Sequence, residues 1–290
     1  MNKEFNKIIY YLPVNRKYIS TWTWYRTDLE CLTELANNVV VCKNFLELLK
    51  EIRGACLIYA CWWHTSLPAI FISKVFRKKI ACTGAIHMFD ASGSAHFYSK
   101  SWLYRLSCAT GLRLSDANFF LSNYQKHSIC NNIKASNPSV IYTSLPKDIP
   151  SSQKVFLRRK KYRSLKETKN TLVLSTILWQ SKDQILRKGM YEILDALRIA
   201  KENKAFDFTF HLMGRPGNGT PKLRQLIEKY DLQNNIEIVE NVSNSEREKL
   251  LYLTDIYIQP SWHEGLGFAV IEAASLGAIP LVSKYAAQPE

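Results

Sequence analysis

The sequence predicts an α/β protein with two doubly wound, mainly parallel sheets. Short apolar runs alternate with longer stretches of helical apolar spacing along the whole chain. A second series of these alternating segments begins near residue 171, after a strongly basic stretch. The chain has 290 residues, of which 47% are hydrophobic, and this is enough for two cores. We therefore expect two domains, residues 1–150 and residues 171–290, joined by a basic linker at residues 151–170.

Strands and helices alternate in the predicted first domain. The predicted strands are residues 7–12, 39–42, 55–61 and 79–86, with a further strand that ends at Ser122. The predicted helices include residues 28–37, 66–76 and about 100–111. Residues 55–73 are the only candidate for a membrane span, but Trp62 and Pro68 interrupt the apolar run. This stretch is therefore predicted to be a strand, a loop and a helix.

The second domain begins with a predicted strand at residues 171–177 and a strongly patterned helix behind it. The apolar residues of this helix fall mostly on one face, and they are Leu186, Met190, Ile193, Leu194, Leu197 and Ile199. Ligands of doubly wound sheets bind at the carboxyl ends of the strands. Residues that directly follow strands are therefore the candidates for a site.

The formal charge of +14 is concentrated in the first half of the chain. Residues 1–150 contain 18 basic and 9 acidic residues, residues 151–170 contain 8 and 1, and residues 171–290 contain 13 and 15. Two clusters stand out, residues 74–79 and residues 154–166. Either an anionic membrane leaflet or a nucleic acid suits such a charge, and the alternative is that both clusters are simply solvated.

The cysteines and the N-terminus bear on the compartment. All seven cysteines lie in the first 130 residues, none forms a C-x-x-C pair, and several lie in apolar stretches. This usage favours a reducing compartment. The first residues lack the apolar segment and cleavage site of a signal peptide. We expect a cytoplasmic protein that binds the inner face of the membrane peripherally if its basic clusters bind lipid.

Residues 261–282, SWHEGLGFAVIEAASLGAIPLV, form the most informative segment. Gly265 and Gly267 allow close approach of the backbone, and the Ala-rich run after them predicts a helix whose N-terminus favours a diphosphate. Glu264 precedes this helix and Glu272 lies inside it. Helical rise would separate the two by about 12 Å, which is too far to share one scissile bond. They are suited to opposite ends of an extended nucleotide sugar.

This segment resembles the signature of the retaining glycosyltransferases of family 4, with its E-x7-E element. The matching positions follow the strand in DIYIQP and are Ser261, Glu264, Gly265, Gly267, Glu272, Ala273, Gly277 and Pro280. The resemblance covers nearly the whole chain, strongly from Thr171 onward and weakly before it. It implies the GT-B fold, in which two Rossmann-like domains face each other across a cleft.

The resemblance also implies roles for individual residues. His87 would face the donor sugar, Lys188 of a Lys-Gly pair would contact the donor diphosphate, and Glu264 would hold hydroxyl groups of the transferred sugar. Without the resemblance, His87 is an ordinary loop histidine and Lys188 an exposed lysine. The residues expected to complete the donor site, with Glu272 on the ribose, are Arg187, Gly214, Gly265, Leu266, Gly267, Phe268 and Glu272.

The expected chemistry requires positive charge, because breaking the anomeric bond leaves a nucleoside diphosphate with growing negative charge. The chain offers Lys188 and the helix N-terminus after Gly267, and it has no D-x-D motif for a metal ion. We expect a UDP-, GDP- or ADP-sugar as donor, no metal and no other cofactor. Metal independence and retention of anomeric configuration are both properties of the resembled family.

Three features depart from the family pattern. The usual arginine after the strand is missing, so either Arg187 or Lys182 supplies that charge. The loop after the first strand lacks a glycine pair and carries Trp22, Trp24 and Tyr25, which either stack on an acceptor sugar or pack on the next helix. Family members continue beyond the last residue of this chain, so we expect a C-terminally truncated sequence.

The predicted function is transfer of a hexose-like sugar from a nucleotide-diphosphate sugar to a saccharide or lipid-linked saccharide, in polysaccharide or glycoconjugate biosynthesis. The basic first domain would bind the acceptor. One alternative is a soluble transferase that makes a storage or compatible-solute glycoside. Another is a non-catalytic basic protein that binds a membrane or nucleic acid. No RNP-type aromatic strand, zinc-ligand spacing or basic recognition helix supports a nucleic-acid partner.

Overall fold

The computed structural model describes residues 3–15, 18–19, 23–84, 89, 96–142, 150–164 and 171–290. The chain divides into two compact units. The first is Met1–Pro146 together with Glu290, and the second is Lys147–Pro289. Each unit is a parallel sheet with helices on both faces, which is the α/β class that the sequence predicts.

The first unit contains a six-stranded parallel sheet in the order β2-β1-β3-β4-β5-β6. Its strands are β1 (Phe5–Tyr11), β2 (Ala36–Cys42), β3 (Leu57–Cys61), β4 (Lys79–Thr83), β5 (Ala117–Phe120) and β6 (Pro138–Val140). Strand order reverses between β1 and β3, because β2 lies on one side of β1 and all later strands lie on the other.

The helices described in the first unit lie between these strands. They are α1 (Thr23–Leu35), α2 (Phe45–Glu51), α3 (Leu67–Val75), α4 (Trp102–Leu114) and α5 (Asn123–Cys130). Helix α1 covers one face of the sheet, with Tyr25 and Leu32 in its core. Helices α2 to α5 contribute to a single core on the other face. Residues 55–73 form β3, a short turn and most of α3, which confirms the prediction of a strand, a loop and a helix.

The aromatic residues after β1 are packed where the structure describes them. Tyr25 is buried, and Trp24 stacks on it with ring centroids 5.7 Å apart. The ring of Trp24 also meets Trp62 edge-on at 5.0 Å. Of the two roles considered for this segment, packing is therefore realised by Trp24 and Tyr25, while Trp22 lies outside the described residues. All seven cysteines are unpaired, and four of them are buried in this unit.

The second unit contains a five-stranded parallel sheet in the order β11-β10-β7-β8-β9. Its strands are β7 (Leu172–Ile177), β8 (Phe208–Gly214), β9 (Ile236–Glu240), β10 (Ile256–Gln259) and β11 (Ile279–Val282). The chain runs from β7 to β8 and β9 in one direction, and it then returns to place β10 and β11 on the other side of β7. The switch point of this sheet therefore lies between β7 and β10.

The helices described in this unit pack around the sheet. They are α6 (Ser152–Ser164), α7 (Lys182–Arg187), α8 (Met190–Glu202), α9 (Thr220–Lys229), α10 (Asn244–Leu253) and α11 (Phe268–Ser275). The four central apolar residues of the predicted helix are buried in α8 as expected. Leu186 and Ile199 are exposed, because Leu186 belongs to the separate helix α7 and Ile199 lies on the outer side of α8.

Residues 151–170 differ from the predicted linker. Residues 152–164 form helix α6, which packs on the second unit with Val155 buried. Arg159 donates to the carbonyl oxygens of Thr254 and Leu276 at 2.8 and 3.3 Å, and Arg163 forms an ion pair with Asp255. Two of its basic residues therefore bind helix α6 to the second unit, and Val155 is the residue that the helix buries in the core of that unit.

Candidate functional site

The carboxyl ends of β7 and β10 lie side by side at the switch point of the second sheet. Two sequence segments meet there. One is the loop after β7 with helices α7 and α8, and the other is the loop after β10 with helix α11. These segments contain most of the residues that the sequence predicts for a donor site, so the topology brings them to the edge where ligands of such sheets bind.

The junction between α7 and α8 is formed by Lys188 and Gly189. Ser181 caps α7 by accepting a hydrogen bond from the amide of Gln184, and Ile185 anchors the helix in the core. Gly189 has φ +66°, and a Cβ atom there would lie 2.7 Å from the carbonyl oxygen of Pro260. Glycine is therefore required for this turn to pack directly against the segment that follows β10.

Lys188 spans the two central strands. Its Nζ donates to the carbonyl oxygen of Ile177 at the end of β7 and to Oε1 of Gln259 at the end of β10, both at 3.1 Å. Burial lowers the pKa of Lys188 to about 8, against an opposing effect of the nearby Glu264 carboxylate. A lysine with this pKa is charged near neutral pH and lies at the switch point of the sheet.

Glu264 lies beside Lys188 in a cluster of polar groups. Its Oε2 accepts hydrogen bonds from Nη1 of Arg187 at 3.0 Å and from Nε2 of Gln259 at 3.3 Å. Burial raises the pKa of this carboxyl, but the charges of Arg187 and Lys188 outweigh burial and hold the pKa below its ordinary value. Glu264 is therefore a fixed carboxylate that can accept hydrogen bonds from hydroxyl groups.

Arg187 is the basic residue that reaches this cluster. Besides Glu264, its Nη1 donates to the carbonyl oxygen of His263 at 2.6 Å, so the guanidinium holds the loop after β10. Lys182, the other candidate for the missing family arginine, has an exposed side chain at the start of α7. The backbone amide of Lys182 donates to Oδ1 of Asn218 at 2.9 Å. The geometry favours Arg187 as the second positive charge.

The turn after β10 leads into helix α11. Gly267 has φ +89° and immediately precedes the helix, which starts at Phe268 without a side-chain cap. The predicted positions Gly265, Leu266 and Phe268 line this same turn. The positive end of the α11 dipole therefore lies four residues after Glu264 in the chain, and such a helix end favours a bound anion.

Glu272 is in a different environment from Glu264. It lies within α11, and its Oε1 accepts a hydrogen bond from Nη2 of Arg247 on α10 at 2.7 Å. Arg247 and Glu272 are both largely shielded from solvent, with 23% and 25% of their side-chain surfaces exposed. Sequence reasoning paired the two glutamates by spacing, whereas the structure gives each its own arginine.

Gly214 ends β8, the strand next to β7, with φ +142°. A Cβ atom at this position would lie 1.9 Å from the carbonyl oxygen of Leu178, in the loop after β7. The amide of Leu178 donates to the carbonyl oxygen of Met213, which ties the two strand ends together. Glycine is needed here for packing between two loops of the protein, a reason that the sequence alone did not reveal.

Sequence reasoning missed Gln259 and Gln180 in this region, and it named Ser261 only as a position of the family signature. Gln259 bridges Lys188 and Glu264, and its only sequence feature is a polar residue at the end of the apolar run IYIQ. Within the described structure, Gln180 Nε2 and Ser261 Oγ are buried without a hydrogen-bond partner. Gln180 follows β7 and Ser261 follows β10. Unsatisfied buried polar atoms at these strand ends are consistent with a site for a polar ligand.

His87 lies outside the described residues, so its predicted position beside the donor sugar has no structural counterpart. In the part of the chain that the structure describes, no helix is long and apolar enough to cross a membrane. Across the same ranges, no three or more His, Cys, Asp or Glu side chains are grouped to hold a metal ion.

Comparison with known proteins gives a family match within the second unit. Residues 175–290 match the family model described as glycosyl transferases group 1. A segment of 68 residues is 34% identical to the phosphatidylinositol N-acetylglucosaminyltransferase gpi3 subunit of Schizosaccharomyces pombe. This segment covers 23% of this chain and 15% of that protein, so the chain spans only a small part of the curated relative.

Solved structures share the fold over nearly the whole chain. HepE of Anabaena, crystallised with UDP and glucose, has a TM-score of 0.68 at 16% sequence identity. The match covers 97% of this chain and 82% of the HepE chain. Sucrose-phosphate synthase from Thermosynechococcus elongatus has a TM-score of 0.69 at 12% identity, with the same two coverages. The predicted fold class is confirmed, and residues 175–290 match the model of the glycosyl transferases group 1.

Proposed function

We propose that the chain is a glycosyltransferase that takes a hexose-like sugar from a nucleotide-diphosphate sugar bound to the second unit. One observation carries this proposal: Arg187, Lys188, Gln259 and Glu264 form a hydrogen-bonded cluster at the switch point of the sheet. The cluster lies within the residues that match the group 1 family model. HepE, which shares the fold, was crystallised with UDP and glucose, and this supports a nucleotide-sugar donor.

The proposed reaction breaks the bond between the anomeric carbon and the diphosphate oxygen. The electron pair of that bond stays on the diphosphate, the acceptor hydroxyl oxygen bonds to the anomeric carbon, and the proton of that hydroxyl passes to the leaving diphosphate oxygen. The Lys188 ammonium and the N-terminus of α11 meet the charge that grows on the diphosphate. Arg187 adds a second positive charge and holds Glu264, which accepts hydrogen bonds from hydroxyl groups of the sugar.

We extend the proposal to retention of anomeric configuration and to the ribose contact of Glu272. Both follow from the resemblance to the family 4 enzymes, and so does the place of His87 beside the sugar. The carboxylate of Glu272 would then accept hydrogen bonds from both Arg247 and the ribose, one at each oxygen. The backbone of residues 265–268 would line the sugar and the diphosphate.

We also propose that the reaction needs no metal ion. The support is that Lys188 and Arg187 already supply two cationic groups beside the turn that would receive the diphosphate. We expect the rate of donor turnover to be unchanged after treatment with EDTA. A loss of activity that added Mg²⁺ restores would contradict this part of the proposal.

The proposed acceptor is a saccharide or lipid-linked saccharide, at the cytoplasmic face of a membrane. The relative from Schizosaccharomyces pombe is by its name a phosphatidylinositol N-acetylglucosaminyltransferase subunit, which supports a lipid-linked acceptor. The excess of nine positive charges in residues 1–150 suits an anionic leaflet. A soluble transferase that makes a storage glycoside is the alternative within the same fold, and it would show no preference for anionic vesicles.

Donor hydrolysis tests the proposal. The purified chain is incubated with UDP-, GDP- and ADP-glucose, and release of the nucleoside diphosphate is measured. We expect turnover of at least one donor, and we expect Lys188→Ala and Glu264→Ala to lower the rate about a hundredfold or more. Lys182→Ala and Glu228→Ala are matched controls on exposed residues and should keep the wild-type rate. Full rates in both site variants would show that the site assignment is wrong.

A further inference from the structure

An exposed apolar surface lies on helices α3 and α4 of the first unit. We define the α3–α4 surface as Phe71, Val75, Trp102, Leu103 and Leu106. Phe71 is 62% exposed, Trp102 is 64% exposed and Leu103 is 57% exposed. Large apolar side chains with more than half of their surface in water are normal one at a time, but five on two neighbouring helices mark a contact surface.

The five side chains are on the same side of the unit. Helices α3 and α4 pack against each other. Their inner residues, such as Ile72 on α3 and Leu112 on α4, belong to one core cluster against one face of the sheet. Because both helices turn their inner sides to the same sheet face, their outer sides point away from it in the same direction.

The charge around the α3–α4 surface is almost entirely positive. Residues 66–84 and 96–116 contain seven Lys or Arg and one acidic residue, Asp116, which gives a net charge of +6. Lys74 and Lys79 lie 3.7 and 3.4 Å from Asp116, but both lysines are largely exposed, so these ion pairs are weak. Lys74 is also one helical turn from Phe71, and Lys100 lies just before Trp102, so charge and apolar side chains are interleaved.

We propose that the α3–α4 surface binds an anionic lipid bilayer, with its apolar side chains among the acyl chains and its lysines and arginines at the headgroups. This combination of Trp, Phe and Leu with Lys and Arg suits the interface of a membrane. A nucleic acid would meet the charge but leave the apolar side chains in water. A second copy of the chain would bring two surfaces of +6 together, which is repulsive.

The inference rests on the proposed function only for its purpose, which is to bring a lipid-linked acceptor to the enzyme. The surface itself is argued from the first unit, whereas the donor site is argued from the second. The two proposals therefore fail separately: donor hydrolysis without vesicle binding would contradict only the surface, and vesicle binding without donor hydrolysis would contradict only the enzyme.

Vesicle flotation tests the surface. The full chain is mixed with phosphatidylcholine vesicles with or without phosphatidylglycerol. We expect binding only when phosphatidylglycerol is present, and we expect the variant Phe71→Ser/Leu103→Ser/Leu106→Ser to bind about tenfold more weakly or worse. The control Phe156→Ser/Leu157→Ser removes equally exposed apolar residues from the basic helix α6 and should bind like wild type. Unchanged binding of the first variant, or loss of binding by the control alone, would overturn the proposal.

Tryptophan quenching tests insertion at one position. Vesicles with brominated acyl chains quench tryptophans that enter the apolar layer. We expect Trp102→Phe to lose much of the quenching seen in wild type, and we expect Trp262→Phe to retain it, although Trp262 is 58% exposed and so comparable to Trp102. Equal quenching in wild type and Trp102→Phe would overturn the proposal. UDP affinity should be the same in wild type, in Trp102→Phe and in the triple variant of the α3–α4 surface.

Discussion

At the scale of single residues, the surroundings of Lys188 change its chemistry, because burial lowers its pKa to about 8. The sequence predicted its role from the Lys-Gly pair, but not its partners. The side chain reaches the carbonyl of Ile177 and the amide of Gln259, which belong to strands separated by about 80 residues. Contacts across such a distance arise from the strand order of the sheet, and a single sequence does not specify which side chains they join.

The lowered pKa of Lys188 predicts the pH dependence of donor binding. In the free site Lys188 loses its charge as the pH rises through about 8, and a bound diphosphate stabilises the protonated lysine. UDP affinity should therefore be constant below pH 8 and fall above it, up to about tenfold per pH unit. Calorimetry in buffers of different ionisation enthalpy should detect proton uptake on UDP binding at pH 8 to 9.

The matched variant for this prediction is Lys188→Arg, since arginine keeps its charge throughout this pH range. Its UDP affinity should vary little between pH 7 and 9, whatever its absolute value. Proton uptake by the variant equal to that of wild type would show that another group causes the effect.

Gln259 should tune the pKa of Lys188. Gln259→Leu removes an acceptor of the ammonium group and a donor to Glu264, so the pKa of Lys188 should fall further and the decline in UDP affinity should begin at lower pH. Gln259→Glu places a carboxylate beside Lys188 and should move the decline to higher pH. Shifts in opposite directions distinguish positioning of Lys188 from a general loss of structure. Identical pH profiles in both variants would contradict this role.

At the scale of secondary-structure elements, the glycine-containing junctions decide the shape of the site. Apolar spacing predicted a helix with Leu186 and Ile199 on the buried face, whereas the structure has two helices that break at Lys188 and Gly189. Apolar spacing continues through the break, so only the tertiary contact with Pro260 reveals it. Helix α6 was not predicted either, because a run of basic residues is typical of a solvated linker. The contacts of Arg159 and Arg163 with the second unit are visible only in the structure.

Gly214 gives a stability prediction for the junction between the loops after β7 and β8. Gly214→Ala should destabilise the chain by more than about 3 kcal/mol, because the new Cβ would lie 1.9 Å from the Leu178 carbonyl oxygen and the backbone must move. The control is Gly54→Ala, where φ is +76° but no atom lies within 4 Å. This control should lose only about 1–2 kcal/mol. Denaturant unfolding measures both, and equal losses would contradict the steric explanation.

At the scale of the whole molecule, the sequence predicted two α/β units and the segments that meet at the candidate donor site. It did so because parallel sheets place the residues after their strands at one edge, which holds for any sheet of this kind. The specific pairs, Arg187 with Glu264 and Arg247 with Glu272, could not be predicted because either arginine is chemically suited to either glutamate. The outer faces of α3 and α4 were also missed, because exposure depends on how neighbouring helices are covered.

The central claim is that the cluster at the switch point of the second sheet binds the diphosphate of the donor. Titration calorimetry of UDP, GDP and ADP into the wild-type chain and into Lys188→Ala at pH 7 tests it most directly. We predict that at least one nucleotide binds the wild type and binds Lys188→Ala about tenfold more weakly or worse. Equal affinities for wild type and variant, or no binding of any of the three nucleotides to the wild type, would contradict the claim.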